Sequence, residues 1–174
     1  VRRSMRLNGE FKTYSRRTFL PYFGGETDQE DNCYNFFSGF RAKYVEPKNR
    51  TTDEAVLKRL EVLEDQWMAL CDGNKEFHEY LMSWIAKLLK KKEKLRTVIV
   101  VIGEQGTGKT KMFEEFLGYN IIGRNYAAKW NGLTKFLQKF NPARRFRALQ
   151  IFNEVSCSKT RTNADMLKTL IDPD

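Results

Sequence analysis

The chain has 174 residues, a length that predicts one domain of ordinary size with a buried core. At 41% hydrophobic and 30% charged residues it reads as a soluble globular protein and excludes the disordered and fibrous classes; three scattered cysteines (Cys33, Cys71, Cys157) and one histidine (His78) exclude a disulfide framework, a multi-histidine metal site and a histidine-centred triad. Lysine and arginine total 31 against 22 acids, a net charge of +9 that favours polyanionic partners, chiefly nucleic acid.

Residues 1–50 are aromatic and polar without a clean period, with Gly24, Gly25 and Pro47 as turn markers. They read as short strands or loops that pack their aromatics onto the domain downstream, and as a candidate end of an upstream domain. Residues 51–96 read as a helical hairpin. Thr51 and Glu54 form a capping box, and Val56, Leu60, Leu63, Trp67 and Leu70 recur at helical spacing to make one apolar face. Gly73 ends this helix and Asn74 caps a second, with Phe77, Leu81, Trp84, Ile85 and Leu88 as its buried stripe. His78 falls on the polar flank, as a surface residue. A basic run extends from Lys87 to Arg96.

Residues 97–174 open with Thr97-Val-Ile-Val-Val-Ile102, a β-branched run without polar alternation, which predicts a strand buried on both faces of a mostly parallel sheet. This run is also the longest aliphatic stretch, far below the roughly 20 residues of a membrane-spanning helix. No apolar segment succeeds the basic N-terminus, so no secretory signal is expected, and an intracellular place, cytoplasmic or nuclear, is the expectation without a membrane partner. A helix is predicted from Lys111 to Leu117, with Met112, Phe113 and Phe116 inward and Gly118 as its stop. Another is predicted over 133–140, capped by Asn131 and broken at Asn141-Pro142. Residues 147–152 read as a second buried strand, and 163–171 as a helix with Met166, Leu167 and Leu170 inward.

Between the first strand and its helix lies Gly103-Glu104-Gln105-Gly106-Thr107-Gly108-Lys109-Thr110, a full match to G-x-x-x-x-G-K-[ST]. Four fixed positions match by chance in roughly one chain of this length in a few hundred. The glycines let the backbone curl its N–H groups around a phosphate, and the helix N-terminus adds favourable partial charge. Lys109 reaches the outer phosphates of ATP, and Thr110 places its hydroxyl on Mg²⁺. The other reading, a ligand-free glycine turn, leaves Lys109 and Thr110 without a purpose. Hydrolysis further requires acidic groups at the end of a neighbouring strand. There Asn153 takes the first position and Glu154 the second, so Glu154 is the candidate catalytic base and, with Thr110 and Asn153, a candidate metal-site residue. Asn153 can accept from a metal-bound water but lacks the charge that holds the ion. Tyr34, Phe36, Phe37 and Phe40 could stack bases but are more commonly core in so dense a cluster. Lys159 and Arg161 are candidate phosphate contacts or plain loop charge.

The order of these elements resembles the superfamily 3 helicases, most closely the helicase part of viral and phage primase-helicases. The resemblance spans about residues 32–172 and is carried by Tyr34-Asn-Phe-Phe-Ser-Gly-Phe40, the hairpin, the 103–110 loop, Phe113-Glu-Glu-Phe-Leu-Gly118, Lys139-Phe-Asn141 and Phe152-Asn-Glu154. It implies an α/β fold with an AAA+-like P-loop NTPase core on a parallel sheet, preceded by the hairpin and the aromatic segment. It also implies ATP and Mg²⁺ as cofactors, single-stranded DNA as partner and a homo-oligomeric, usually hexameric, ring. Residues 164–171 resemble the start of a DNA-contacting motif, where Lys168 is the residue carried over. The sensor asparagine and arginine that such helicases place further on have no counterpart before Asp174. The resulting expectation is a C-terminally truncated piece of a larger replication protein that binds nucleotide, hydrolyses it slowly and does not unwind DNA, since an absent arginine finger lowers turnover by about 10³ to 10⁵ where measured. Two other readings stand beside it: a non-hydrolysing remnant that binds nucleic acid or a partner, and a P-loop phosphotransferase, which would need an arginine-rich lid where the chain offers only Arg144, Arg145 and Arg147.

Overall fold

The computed structural model describes residues 3–7, 10–26, 32–92, 95–133, 136–137, 141–153 and 168. Strands β1 (Arg3–Leu7) and β2 (Glu10–Tyr14) form an antiparallel pair, and β3 (Arg16–Thr18) runs parallel to β4 (Cys33–Asn35). Asn35 ties the adjoining turns. Its Oδ1 accepts from the Leu20 amide at 3.3 Å and the Phe37 amide at 3.0 Å, while its Nδ2 donates to the Gly25 carbonyl at 2.7 Å. One short amide thus satisfies three backbone groups that leave the sheet ladder. The chain then turns inward and buries Phe37 among Leu117, Ile122, Tyr126, Ala127 and Leu149, with Phe19 and Phe40 against the same cluster. The aromatic segment is therefore built into the main core, and its rings pack on one another; Phe36 stacks on Phe146 at 4.4 Å.

The hairpin consists of α1 (Glu54–Leu70) and α2 (Lys75–Lys90). Asp53, not Thr51, caps α1: its Oδ1 accepts from the Ala55 amide at 2.9 Å, while the Thr51 hydroxyl accepts from the Asp53 amide at 3.1 Å. Asn74 caps α2 through the Phe77 amide at 3.1 Å. The predicted apolar faces are buried only in part. Trp67 and Leu81 form a second core cluster with Met112, but Val56, Leu60 and Phe77 are exposed, because the first half of α1 and the first turn of α2 extend past the elements that could cover them. His78, expected on the surface, is 6% exposed and joins the helices, with Nε2 3.3 Å from Glu64 Oε1.

Residues 97–102 are not the expected doubly buried strand. Among the described residues they pair with no strand; Ile99 packs inward onto the cluster around Trp67, while Val98 and Val100 face outward and Ile102 is 93% exposed. A strand buried on both faces needs a layer on each side. The described elements cover one face only.

Helix α3 (Lys111–Ile122) is π-wound and runs through Gly118 to end at Gly123, whose amide donates to the Gly118 carbonyl at 2.8 Å. Gly118 is a packing residue, not a stop. A Cβ there would lie 3.2 Å from Ile151 Cδ1 and 3.5 Å from Ala127 Cβ, so the missing side chain lets the helix approach the sheet. That sheet pairs β5 (Ala127–Asn131) in parallel with β6 (Leu149–Asn153), Asn131 lying opposite Asn153. Sequence patterning anticipated β6 but not β5. Asn131 is accordingly the end of β5; of the helix predicted over 133–140 only residues 133, 136 and 137 are described, where the Leu137 amide donates to the Leu133 carbonyl at 2.9 Å and Leu133 and Phe136 are buried. Asn141 instead caps a 3-10 turn, Pro142–Arg144, accepting from the Ala143 amide at 3.1 Å. The described fold is thus a mixed helix and strand structure with two small parallel sheets. The helix predicted over 163–171 lies outside the described residues, Lys168 excepted.

Candidate nucleotide site

The loop from Gly103 to Thr110 leaves the 97–102 segment and runs directly into the helical turn that begins at Lys109. Gly108 has φ +88°, a left-handed value costly for a residue with a Cβ. It also lies under α1: a Cβ at Gly108 would stand 2.9 Å from Gln66 Nε2. The positive φ therefore selects glycine at this position, and the Gln66 side chain lies close over it. Gln66 Nε2 in turn donates to the Thr107 carbonyl at 3.4 Å, which joins the hairpin to the loop.

Lys109 is folded over the loop. Its ammonium donates to the Gly103 carbonyl at 2.9 Å, to the Thr107 hydroxyl at 2.8 Å and to the Glu104 carbonyl. Thr107 Oγ1 passes a hydrogen bond on to the Glu104 carbonyl at 3.1 Å. All three lysine partners are neutral oxygens. A phosphate oxygen competes well with them, since it adds the Coulomb attraction of a full negative charge to the ammonium. Met112 donates to the Gly108 carbonyl at 3.0 Å, which closes the first helical turn. The amides at the start of that turn have no intrahelical acceptor and carry the positive end of the helix dipole. Thr110, helical and exposed, presents its hydroxyl at the same end, while Glu104, Gln105 and Gly106 form the exposed rim.

Asn153 ends β6 beside Glu114, which sits four residues after Thr110 on the helix that the loop opens. Glu114 is 7% exposed. Its Oε2 lies 2.7 Å from Lys129 Nζ on β5, and its Oε1 accepts from the Tyr119 hydroxyl at 2.9 Å. Burial pushes its carboxyl up, but hydrogen bonds from Lys129 and Tyr119, the Lys129 charge and the Asn153 side chain outweigh this and hold it below the ordinary carboxylate range. Lys129 is raised, chiefly by its bond to Glu114, and Tyr119 is raised by burial and by the same carboxylate.

The structure therefore brings the loop residues, Lys109 and Thr110 together at one helix end and puts Asn153 beside that helix. Glu154, Lys159 and Arg161 lie outside the described residues, and Lys168 is exposed and helical. Arg147 is structural: its guanidinium donates to the carbonyls of Ala143, Arg124 and Asn125, tying the turns that enter β5 and β6. Arg144 lies over the Phe136 ring at 5.3 Å. Two residues escaped sequence reasoning. Gln66 is one polar position in a helix read for its apolar face. Glu114 comes after Thr110 at helical spacing, which is a usable signal for a shared face, but its charge partner lies on the strand that patterning did not anticipate.

For a phosphate chain the residues fit: curled glycines, a retractable ammonium and unspent helical amides. Among the described residues no group of three or more carboxylate, cysteine or histidine side chains could hold a metal ion, and Glu154 lies outside them. Thr110 suits a Mg²⁺ that arrives with phosphate oxygens already bound to it. No protein-family model matches the chain, and no curated protein or solved structure matches it significantly.

Proposed function

We propose that the chain is an ATP-binding unit of the P-loop NTPase type, belonging to a helicase of a viral, plasmid or virus-derived replication protein. In the intact protein it would couple ATP hydrolysis to movement along single-stranded DNA, as a homo-oligomeric ring. The supporting observation is the 103–110 loop, in which Lys109 is folded over curled glycine backbone at the start of a helix. In this reading the loop amides and Lys109 grip the triphosphate and Thr110 holds the Mg²⁺ that accompanies it. Glu154 polarises the attacking water, and Asn153 orients a metal-bound water from the end of β6. Calorimetric titration of ATP with Mg²⁺ tests the binding step. The unaltered chain should release heat with saturable stoichiometry, and Lys109→Ala should weaken uptake at least tenfold; unchanged uptake in this variant overturns the reading.

A second reading, a remnant that binds without hydrolysing, draws on Asn153 and on Glu114, a carboxylate of the helix that the loop opens, being already paired with Lys129. Mg²⁺ separates the two. The ATPase reading expects affinity to rise with Mg²⁺, and the remnant expects no dependence.

A further inference from the structure

We propose that Gln66, on the helical hairpin, is a positioning residue of the nucleotide site, one that sets the Thr107–Gly108 peptide so that the loop presents an N–H group to a polyphosphate. The proposal rests on the reading of residues 103–110 as a phosphate loop and extends the site to an element outside the motif.

A trans peptide is planar, so its C=O and N–H point in opposite directions. Gln66 Nε2 donates to the Thr107 carbonyl across 3.4 Å, so that this carbonyl faces α1. The Gly108 N–H, in the same plane, is thereby turned away from α1. Glycine at 108 gives this peptide little resistance to flipping. In the flipped state the Thr107 carbonyl would face the phosphate oxygens and repel them. An external donor is therefore useful at this one peptide, and Gln66 supplies it.

The backbone that carries the donor is held in place. Trp67, the next residue, is 5% exposed and packs edge-on against Phe113 at 5.2 Å and Phe116 at 6.4 Å, both on the helix that the loop opens. Met112 and Leu81 complete this cluster. The end of α1 that carries Gln66 is thus fixed to the helix whose N-terminus receives the ligand. The close approach of the amide is possible because position 108 has no Cβ.

Two near-isosteric variants test this. Gln66→Met keeps the stem and removes the donor, and Gln66→Glu removes the donor and adds negative charge. Calorimetry with ATP and with inorganic tripolyphosphate, beside thermal unfolding of the free chain, gives the readouts. Gln66→Met should weaken both ligands equally, by about twofold to tenfold, the worth of one neutral hydrogen bond. Gln66→Glu should weaken them further, and the unfolding midpoint of both variants should stay within about 2 °C of the unaltered chain. Equal loss for ATP and tripolyphosphate places the effect at the phosphates. If Lys109→Ala abolishes binding but Gln66→Met binds tripolyphosphate normally, the phosphate loop stands and the role of Gln66 falls. A loss of affinity that comes with a midpoint lowered by several degrees marks a packing effect and overturns the proposal. If the unaltered chain binds neither ligand, the loop reading fails and this proposal with it.

Discussion

Glu114 shows how little a single residue's type says before its neighbours are known. As a carboxylate on an amphipathic helix it would be placed on the surface, yet it is buried, because Lys129 pairs with one of its oxygens and the Tyr119 hydroxyl donates to the other. Its carboxyl titrates below its ordinary value, so the folded state prefers it ionised. The stabilisation is therefore complete above the unfolded carboxylate value, near 4.3, and fades as pH falls through the lower folded one. Lys129, shifted upward, keeps its charge well past neutrality. Glu114→Gln should destabilise the chain by about 1 to 2 kcal/mol at pH 7, and the deficit should shrink toward pH 3. Urea unfolding at the two pH values measures it, and a deficit independent of pH would sink this account. The spacing of Lys109, Thr110 and the loop glycines was legible because the proposed binding of phosphate by main-chain amides would demand fixed residue types at fixed spacing. Gln66, Glu114 and the burial of His78 were not, because each depends on a partner from a distant part of the chain.

At the scale of elements, residue spacing placed both hairpin helices and β6 but misjudged what covers them. Periodicity marks a face able to be buried and says nothing about whether a neighbour exists. The exposed half of α1 and the outward valines of 97–102 make the point. Gly118 is the converse case, a residue with the look of a helix stop that is a seat for the sheet. Replacing it by valine should drive a branched side chain into Ile151 and Ala127 and cost about 1 to 3 kcal/mol, lowering the thermal midpoint by several degrees. A variant with an unchanged midpoint in differential scanning calorimetry would show that α3 can retreat from β5 and β6 without loss.

For the molecule as a whole, the charge of +9 is the property that carries furthest toward a partner. Among the described residues no helix is long and apolar enough to cross a membrane. Part of the basic surface is already committed, since Arg147 holds carbonyls and Lys90 lies over the Tyr44 ring at 5.0 Å, while Lys87 and Lys91 are exposed. If single-stranded DNA is the partner, affinity for an oligonucleotide should fall with salt at a log–log slope of about −0.7 for each phosphate neutralised. Fluorescence anisotropy from about 50 to 200 mM salt reads the slope directly, and a flat profile would point away from nucleic acid.

What residue order alone determined was local: a glycine-rich loop of the form G-x-x-x-x-G-K-[ST], two helices with the Asn74 cap of the second, a strand leading toward Asn153 and the excess of positive charge. Each comes from interactions within about one turn or one strand, which the order of side chains specifies directly. Folding in three dimensions settled the rest: which apolar faces find cover, that Glu114 is neutralised by Lys129, and that a glutamine of the hairpin reaches the loop. Those outcomes depend on contacts between segments far apart in the chain, and such contacts arise from packing, which no local pattern encodes.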